Sequence, residues 1–253
     1  MKKWLKITFI FLGIILVASF VWFDLFFWQE NNALFKNNLF ESAKTSDVLI
    51  IFNSGGYGTV QMEKAYDFQP LIKGIEGVIK EMGYKSSVIP YYRTKDNFLG
   101  KAAYLKEILF GFPKESDYLA EELQKFSKEN PGKKIIITGL SNGAGLANIT
   151  MEKISCCQAN ISAIGFGAPF WSFKKEKSNI INFDNNGKDV LSQGNFFALT
   201  WATIKAPFVV FYSQIIGQPI SFAKAINVPG HEYDWAKISP EIKPFLFFVL
   251  AYD

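Results

Sequence analysis

The chain has 253 residues, a formal net charge of +4, 49% hydrophobic residues and 17% aromatic residues, with 26 phenylalanines. That length fits one large α/β domain with a short appendage. The positive charge is modest and carried mainly by scattered lysine, without an arginine-rich patch, so no nucleic-acid partner is indicated. Two adjacent cysteines and one histidine leave no disulfide framework and no metal-ligand spacing.

Residues 1–28 read as a membrane segment. Lys2, Lys3 and Lys6 precede an uncharged run from Ile7 to Phe23, and apolar character resumes after Asp24 with Leu25, Phe26, Phe27 and Trp28. The length suits a signal peptide or an uncleaved anchor. Val17-Ala18-Ser19 offers a cleavage site, but the apolar run continues past it, and Trp22 and Trp28 suit an interfacial belt. The reading preferred is a signal anchor, one N-terminal transmembrane helix. It would hold the chain in a bacterial inner membrane with the rest on the extracytoplasmic side; the alternative is secretion after cleavage. Residues 29–47 are polar, contain Asn and Lys, and read as a tether, with 48–253 forming the folded domain.

Val48 to Phe52 is a continuous apolar run, as expected for a strand buried on both faces. It ends in Asn53-Ser54-Gly55-Gly56-Tyr57-Gly58. Asp67 to Met82 carries apolar residues at helical spacing and stops at Gly83. Lys85 to Tyr92 reads as a strand, and a short helix is expected around 102–109. A charged-faced helix over Glu115 to Lys128 is closed by Asn130-Pro131-Gly132. Ile135 to Ile137 then form a strand, and Ala144 to Cys157 a helix in which Cys156 and Cys157 are small buried residues. Ile161 to Phe166 and Asn179 to Phe183 complete the strands. This alternation predicts an α/β fold: a mostly parallel sheet with helices on both faces.

Residues 193–223 differ from the rest. They hold Phe197, Trp201, Phe208, Val209, Val210, Phe211, Tyr212, Ile215 and Ile216, with Lys205 the only charge before Lys224. Pro207, Gly217 and Pro219 argue against a second transmembrane helix. The stretch is either core helix, or a cap or lid that lines an acyl pocket or dips into a bilayer surface.

The chemistry centres on Gly139-Leu140-Ser141-Asn142-Gly143, a G-x-S-x-G sequence between a strand and a helix. In that context a serine sits on a sharp, strained turn with its Oγ clear of the sheet. The helix's first free N–H groups point at whatever the serine attacks. Asn142 N–H and a backbone N–H near Gly55 are the candidate oxyanion donors. A serine hydroxyl needs an imidazole to take its proton, and the imidazole needs a carboxylate to fix its tautomer. The only histidine, His231, lies downstream in a Pro-Gly loop. The acid must come between them: Asp189 is preferred, because the Asn185-Asn186-Gly187 turn would carry it back towards the site, and Asp184 is the alternative. Glu232 and Asp234 are too close in sequence to His231 to be first choice. Such chemistry calls for no metal and no organic cofactor.

These residues resemble the α/β-hydrolase fold and, within it, the class 3 lipase group. Three stretches carry the resemblance: the elbow around Ser141, Gly165-Phe166-Gly167-Ala168-Pro169, and Gly187-Lys188-Asp189-Val190. It implies a serine hydrolase acting on carboxylic esters through an acyl-enzyme; the N-terminal segment and the apolar 193–223 stretch add the expectation of a membrane anchor and an apolar acyl or lipid substrate. A thioesterase or amidase with a soluble substrate, and an inactive hydrolase fold serving as an interaction module, are the competing expectations.

Overall fold

The structure is a computed structural model describing residues 29–97, 100, 104, 107, 110–157, 159–172, 177–220, 225 and 228–251. The expected transmembrane segment, 1–28, lies outside the described residues, as does most of the helix expected around 102–109.

Five strands form one sheet among the described residues: β1 (Val48–Asn53), β2 (Ser86–Pro90), β3 (Lys134–Leu140), β4 (Ile161–Phe166) and β5 (Ile180–Phe183). Their order is β2-β1-β3-β4-β5 and every pairing is parallel. Parallel strands need crossovers on the sheet faces, so both faces are covered and the strands read as unbroken apolar runs. β1, β3 and β4 are buried at every position. The two-residue side-chain period divides them between two cores. Leu49, Ile51, Ile135 and Ile137 face one cluster, while Val48, Ile50, Phe52 and Ile136 face the other.

On the first face lie helix α1 (residues 29–43), α3 (Pro113–Glu129) and α4 (Asn142–Lys153). On the second lie α2 (Gln69–Glu81) and α6 (Trp235–Ala251). Helix α1 corrects the tether expected over 29–47. Phe35, Leu39 and Ala43, spaced four apart, are buried against α3 and the sheet, and Phe35 meets Tyr91 edge to face at 5.1 Å. Burial of side chains such as Phe35 and Leu39 stabilises by about 1.5–3 kcal/mol each. Of the polar residues that suggested a linker, Glu30, Asn37 and Glu41 are exposed, while Asn32 is buried and accepts from Tyr91 Oη at 3.2 Å.

Two boundaries also differ. Helix α4 ends at Lys153, so Cys156 and Cys157 sit in the turn beyond it, free and only partly buried. Residues 193–223 contain helix α5 (Phe196–Ile215), whose described side chains belong to neither core cluster.

The strand order reverses direction between β1 and β3: the chain runs outward to β2 on one side and to β4 and β5 on the other. In open parallel sheets, ligands bind outside the carboxyl ends of the strands at that reversal. Here those ends lead into the Ser54–Gly58 loop and into Ser141.

Candidate active site

Ser141 sits between β3 and α4 with φ 55° and ψ −124°, a conformation that costs free energy for a residue with a Cβ. Three contacts hold it. Ser141 N–H donates to Phe166 O at 2.8 Å, Gly145 N–H donates to Ser141 O at 3.0 Å, and the sheet holds Leu140 beside Phe166. The flanking glycines are needed for space. A Cβ on Gly139 would collide with the backbone of Gly143, and one on Gly143 would collide with Asn53 O. The elbow is therefore wedged against the end of β1. Asn53 is fully buried there, its Nδ2 donating to Thr138 O at 3.0 Å.

Gly55 lies directly against the serine: a Cβ built on it would be 3.5 Å from Ser141 Cβ. Asn142 Nδ2 donates to Gly56 O at 3.2 Å, tying the elbow to this loop. As the first residue of α4, Asn142 has a backbone N–H without an intrahelical acceptor, at the positive end of the helix.

Asp189 and His231 come together on the same rim. His231 Nδ1 is 2.7 Å from Asp189 Oδ2, and the carboxylate is fully buried. Burial alone would raise this carboxyl. The hydrogen bond from His231, its charge, and further bonds from Tyr233 and Leu191 N–H outweigh burial and hold it below its ordinary value. Leu191 N–H donates to Asp189 Oδ1 at 2.9 Å and Tyr233 Oη donates to Oδ2 at 2.5 Å. The histidine loop docks on the acid loop because Gly230, at φ 76°, has no Cβ to strike Lys188 O. Val190 N–H completes that junction by donating to Pro229 O at 3.2 Å.

Gly167 links the pair to the serine. It follows Phe166, whose carbonyl holds Ser141, and a Cβ on it would collide with both the His231 ring and Asp189. Its φ of 61° is a second reason for glycine. The imidazole thus lies across the end of β4, one strand from the elbow.

Asp184, the alternative acid, is placed elsewhere. Its carboxylate accepts from Gly187 N–H at 3.0 Å and Gln193 Nε2 at 3.2 Å, shaping the turn that delivers Asp189. Glu232 is exposed, and Asp234 Oδ1 accepts from Ala236 N–H at 3.0 Å at the start of α6. Among the described residues, no group of three or more His, Cys, Asp or Glu side chains is placed to hold a metal ion.

Sequence reasoning missed Tyr233. Its hydroxyl proton is held up by burial and by the Asp189 carboxylate, so it stays a donor. The signal available was a tyrosine two residues beyond the only histidine. Tyr233→Phe removes a hydrogen bond to a buried charge, worth about 1.5–3 kcal/mol. The expected result is lower chemical-denaturation stability of about that size with the secondary structure intact; unchanged stability would mean that the bond contributes nothing net.

No family model matches the chain, and no curated protein matches it. Among solved structures it is similar to a Trichoderma reesei cutinase in complex with a C11Y4 phosphonate inhibitor. The TM-score is 0.42 and the identity 13%, over 64% of this chain and 76% of that chain.

Proposed function

We propose that the chain is a serine hydrolase that cleaves carboxylic esters of apolar acyl or lipid substrates. The observation that carries this reading is the His231–Asp189 pair, packed on Gly167 beside a serine at positive φ. Ser141 Oγ attacks the ester carbonyl and His231 Nε2 takes its proton. Asp189 holds Nδ1–H and stabilises the imidazolium that forms. The N–H groups of Asn142 and of the Gly55 loop receive the oxyanion. His231 then returns the proton to the leaving alcohol, and water repeats the sequence in reverse to release the acid.

Helix α5 supports an apolar substrate and a membrane setting. It begins straight after the Asp189 turn, where Gln193 N–H donates to Asp189 O and Asn195 N–H to Val190 O, both at 3.0 Å. Phe197, Phe208, Phe211 and Ile215 are 84%, 72%, 66% and 66% exposed, as the cap or lid reading requires. Phe170 and Trp171, partly exposed and edge to face at 5.0 Å, extend the apolar surface, with Phe170 packed on Gly194 just before α5. Exposed aromatic residues at this density mark a contact surface rather than ordinary solvent exposure. Among the described residues, no helix is long and apolar enough to cross a membrane. The reading is therefore a helix lying in the bilayer interface, with Lys205 reaching back over Trp201 (4.9 Å) towards the headgroups. Residues 1–28 would anchor the chain, with the hydrolase domain on the extracytoplasmic side.

Hydrolysis of p-nitrophenyl esters of graded chain length tests the chemistry, with rates expected to rise from acetyl to longer acyl groups. Sedimentation with phosphatidylglycerol vesicles tests the surface. Phe208→Glu/Phe211→Glu should weaken vesicle binding at least about tenfold, since each buried Phe contributes on the order of 1.5–3 kcal/mol. Acetyl ester hydrolysis should stay within about twofold. Equal vesicle binding by both proteins would remove the membrane reading, and no hydrolysis of any ester would remove the enzyme.

A further inference from the structure

Arg93 is the only arginine in a chain that otherwise places lysine at every basic position except its one histidine. It is also buried, at 4% exposure, just beyond the end of β2. Burying a guanidinium costs several kcal/mol unless it is paired and hydrogen-bonded. Its hydrogen bonds among the described residues go to one place. Nη2 donates to Ser54 O at 2.5 Å, Gly56 O at 3.2 Å and Gly55 O at 3.4 Å. Its guanidinium carbon lies over the Tyr104 ring, 5.3 Å from the centroid, while Nε and Nη1 are buried without a hydrogen-bond acceptor among the described residues.

The loop is shaped to receive it. Gly58, at φ 71°, has no Cβ, and one there would collide with Arg93 Nε. Gly58 O accepts from Arg93 N–H at 3.1 Å, and Gly58 N–H donates to Gly55 O at 3.1 Å, so the loop closes on the arginine.

In a planar trans peptide, C=O and N–H point in opposite directions. Carbonyls of Ser54, Gly55 and Gly56 turned towards Arg93 therefore turn the N–H groups of Gly55, Gly56 and Tyr57 away from it. Gly55 is also the residue against Ser141 Cβ. A fixed positive charge behind the carbonyls polarises those peptides and strengthens their N–H ends as donors.

We infer that Arg93 is the positioning residue of the oxyanion loop, holding the Ser54–Gly56 carbonyls so that backbone N–H groups face the ester oxygen at Ser141. The inference rests on the hydrolase reading. Lysine cannot substitute fully, because an ammonium is a point donor without a planar fork.

The test uses the full chain with Arg93→Ala, Arg93→Lys and Arg93→Gln, measuring kcat and KM on a p-nitrophenyl ester, the rate of phosphonylation, and thermal unfolding. Misplacing a transition-state donor by an ångström costs on the order of 100-fold. The expected result is a roughly 10- to 100-fold fall in kcat and in phosphonylation rate, with KM within about twofold. Millimolar guanidinium should restore at least part of the Arg93→Ala loss, and Arg93→Lys should fall between native and Ala. A folded Arg93→Ala or Arg93→Lys with native kcat would overturn the inference. So would variants none of which folds, which would make Arg93 purely structural. If native protein hydrolyses no ester and takes no phosphonate label, the hydrolase reading fails first; active native protein with equally active variants removes only the role of Arg93.

Discussion

Ser141→Ala is expected to abolish labelling by a fluorophosphonate probe and to lower kcat by about 10⁶-fold, the scale of removing the attacking atom from a serine hydrolase. The fold should be untouched. Ser141 is held by its own backbone, through Phe166 O and Gly145 N–H, and its side chain is partly exposed. A melting temperature within about 2 °C of native therefore separates lost chemistry from lost structure. Persistent labelling of the alanine variant would assign the nucleophile to another residue, and unlabelled native protein would favour an inactive interaction module.

Asp189→Asn should cost about 10⁴-fold in kcat while leaving the site's outline intact. The carboxylate accepts from His231 Nδ1, Tyr233 Oη and Leu191 N–H, and it can do so because it is acceptor-only. An amide turned towards the ring presents N–H to Nδ1. That forces the ring proton onto Nε2, where it blocks transfer from Ser141. Stability changes with a definite sign. The folded carboxyl lies below its ordinary value, so its bonds contribute fully above about pH 4, the unfolded carboxyl's range, and are lost as pH falls through the folded value. In urea titrations the variant should be less stable than native at pH 7, and the gap should narrow in acid below about pH 4. A gap that widens in acid would contradict the charged hydrogen-bonded state. By contrast, Asp184→Asn disturbs a surface turn and should leave kcat within a fewfold of native.

The strands were legible because a parallel sheet buried on both faces requires unbroken apolar runs, and Val48–Phe52 and Ile135–Ile137 supply them. The elbow was legible because its glycines answer to backbone collisions that only G-x-S-x-G avoids. His231 stood out by being alone. The choice between Asp184 and Asp189 was harder, since both belong to one turn; what separates them is which carboxylate meets the imidazole, a property of the folded chain. Helix α1 was hidden by composition. Asn31, Asn32, Asn37 and Asn38 resemble a linker until Phe35, Leu39 and Ala43 are read as a stripe. Helix α5 was ambiguous for the opposite reason: apolar residues all around a helix carry no directional signal, so buried and exposed placements look alike. Arg93 was invisible because its partners are carbonyl oxygens, which every residue has.

The groups at Ser141 are drawn from widely separated parts of the chain: the Ser54–Gly56 loop, the elbow, Asp189, and His231 with Tyr233. Synthesis proceeds from the N-terminus, so on the hydrolase reading the serine is made long before its proposed base, His231. A growing or truncated chain that stops short of residue 231 carries the nucleophile on its strained turn but has nothing to take its proton. Under the proposed chemistry, competence to cut esters arrives late and all at once, after the rest of the sheet has been made. Under the proposed action on lipid esters, that timing keeps every unfinished copy harmless to its substrate.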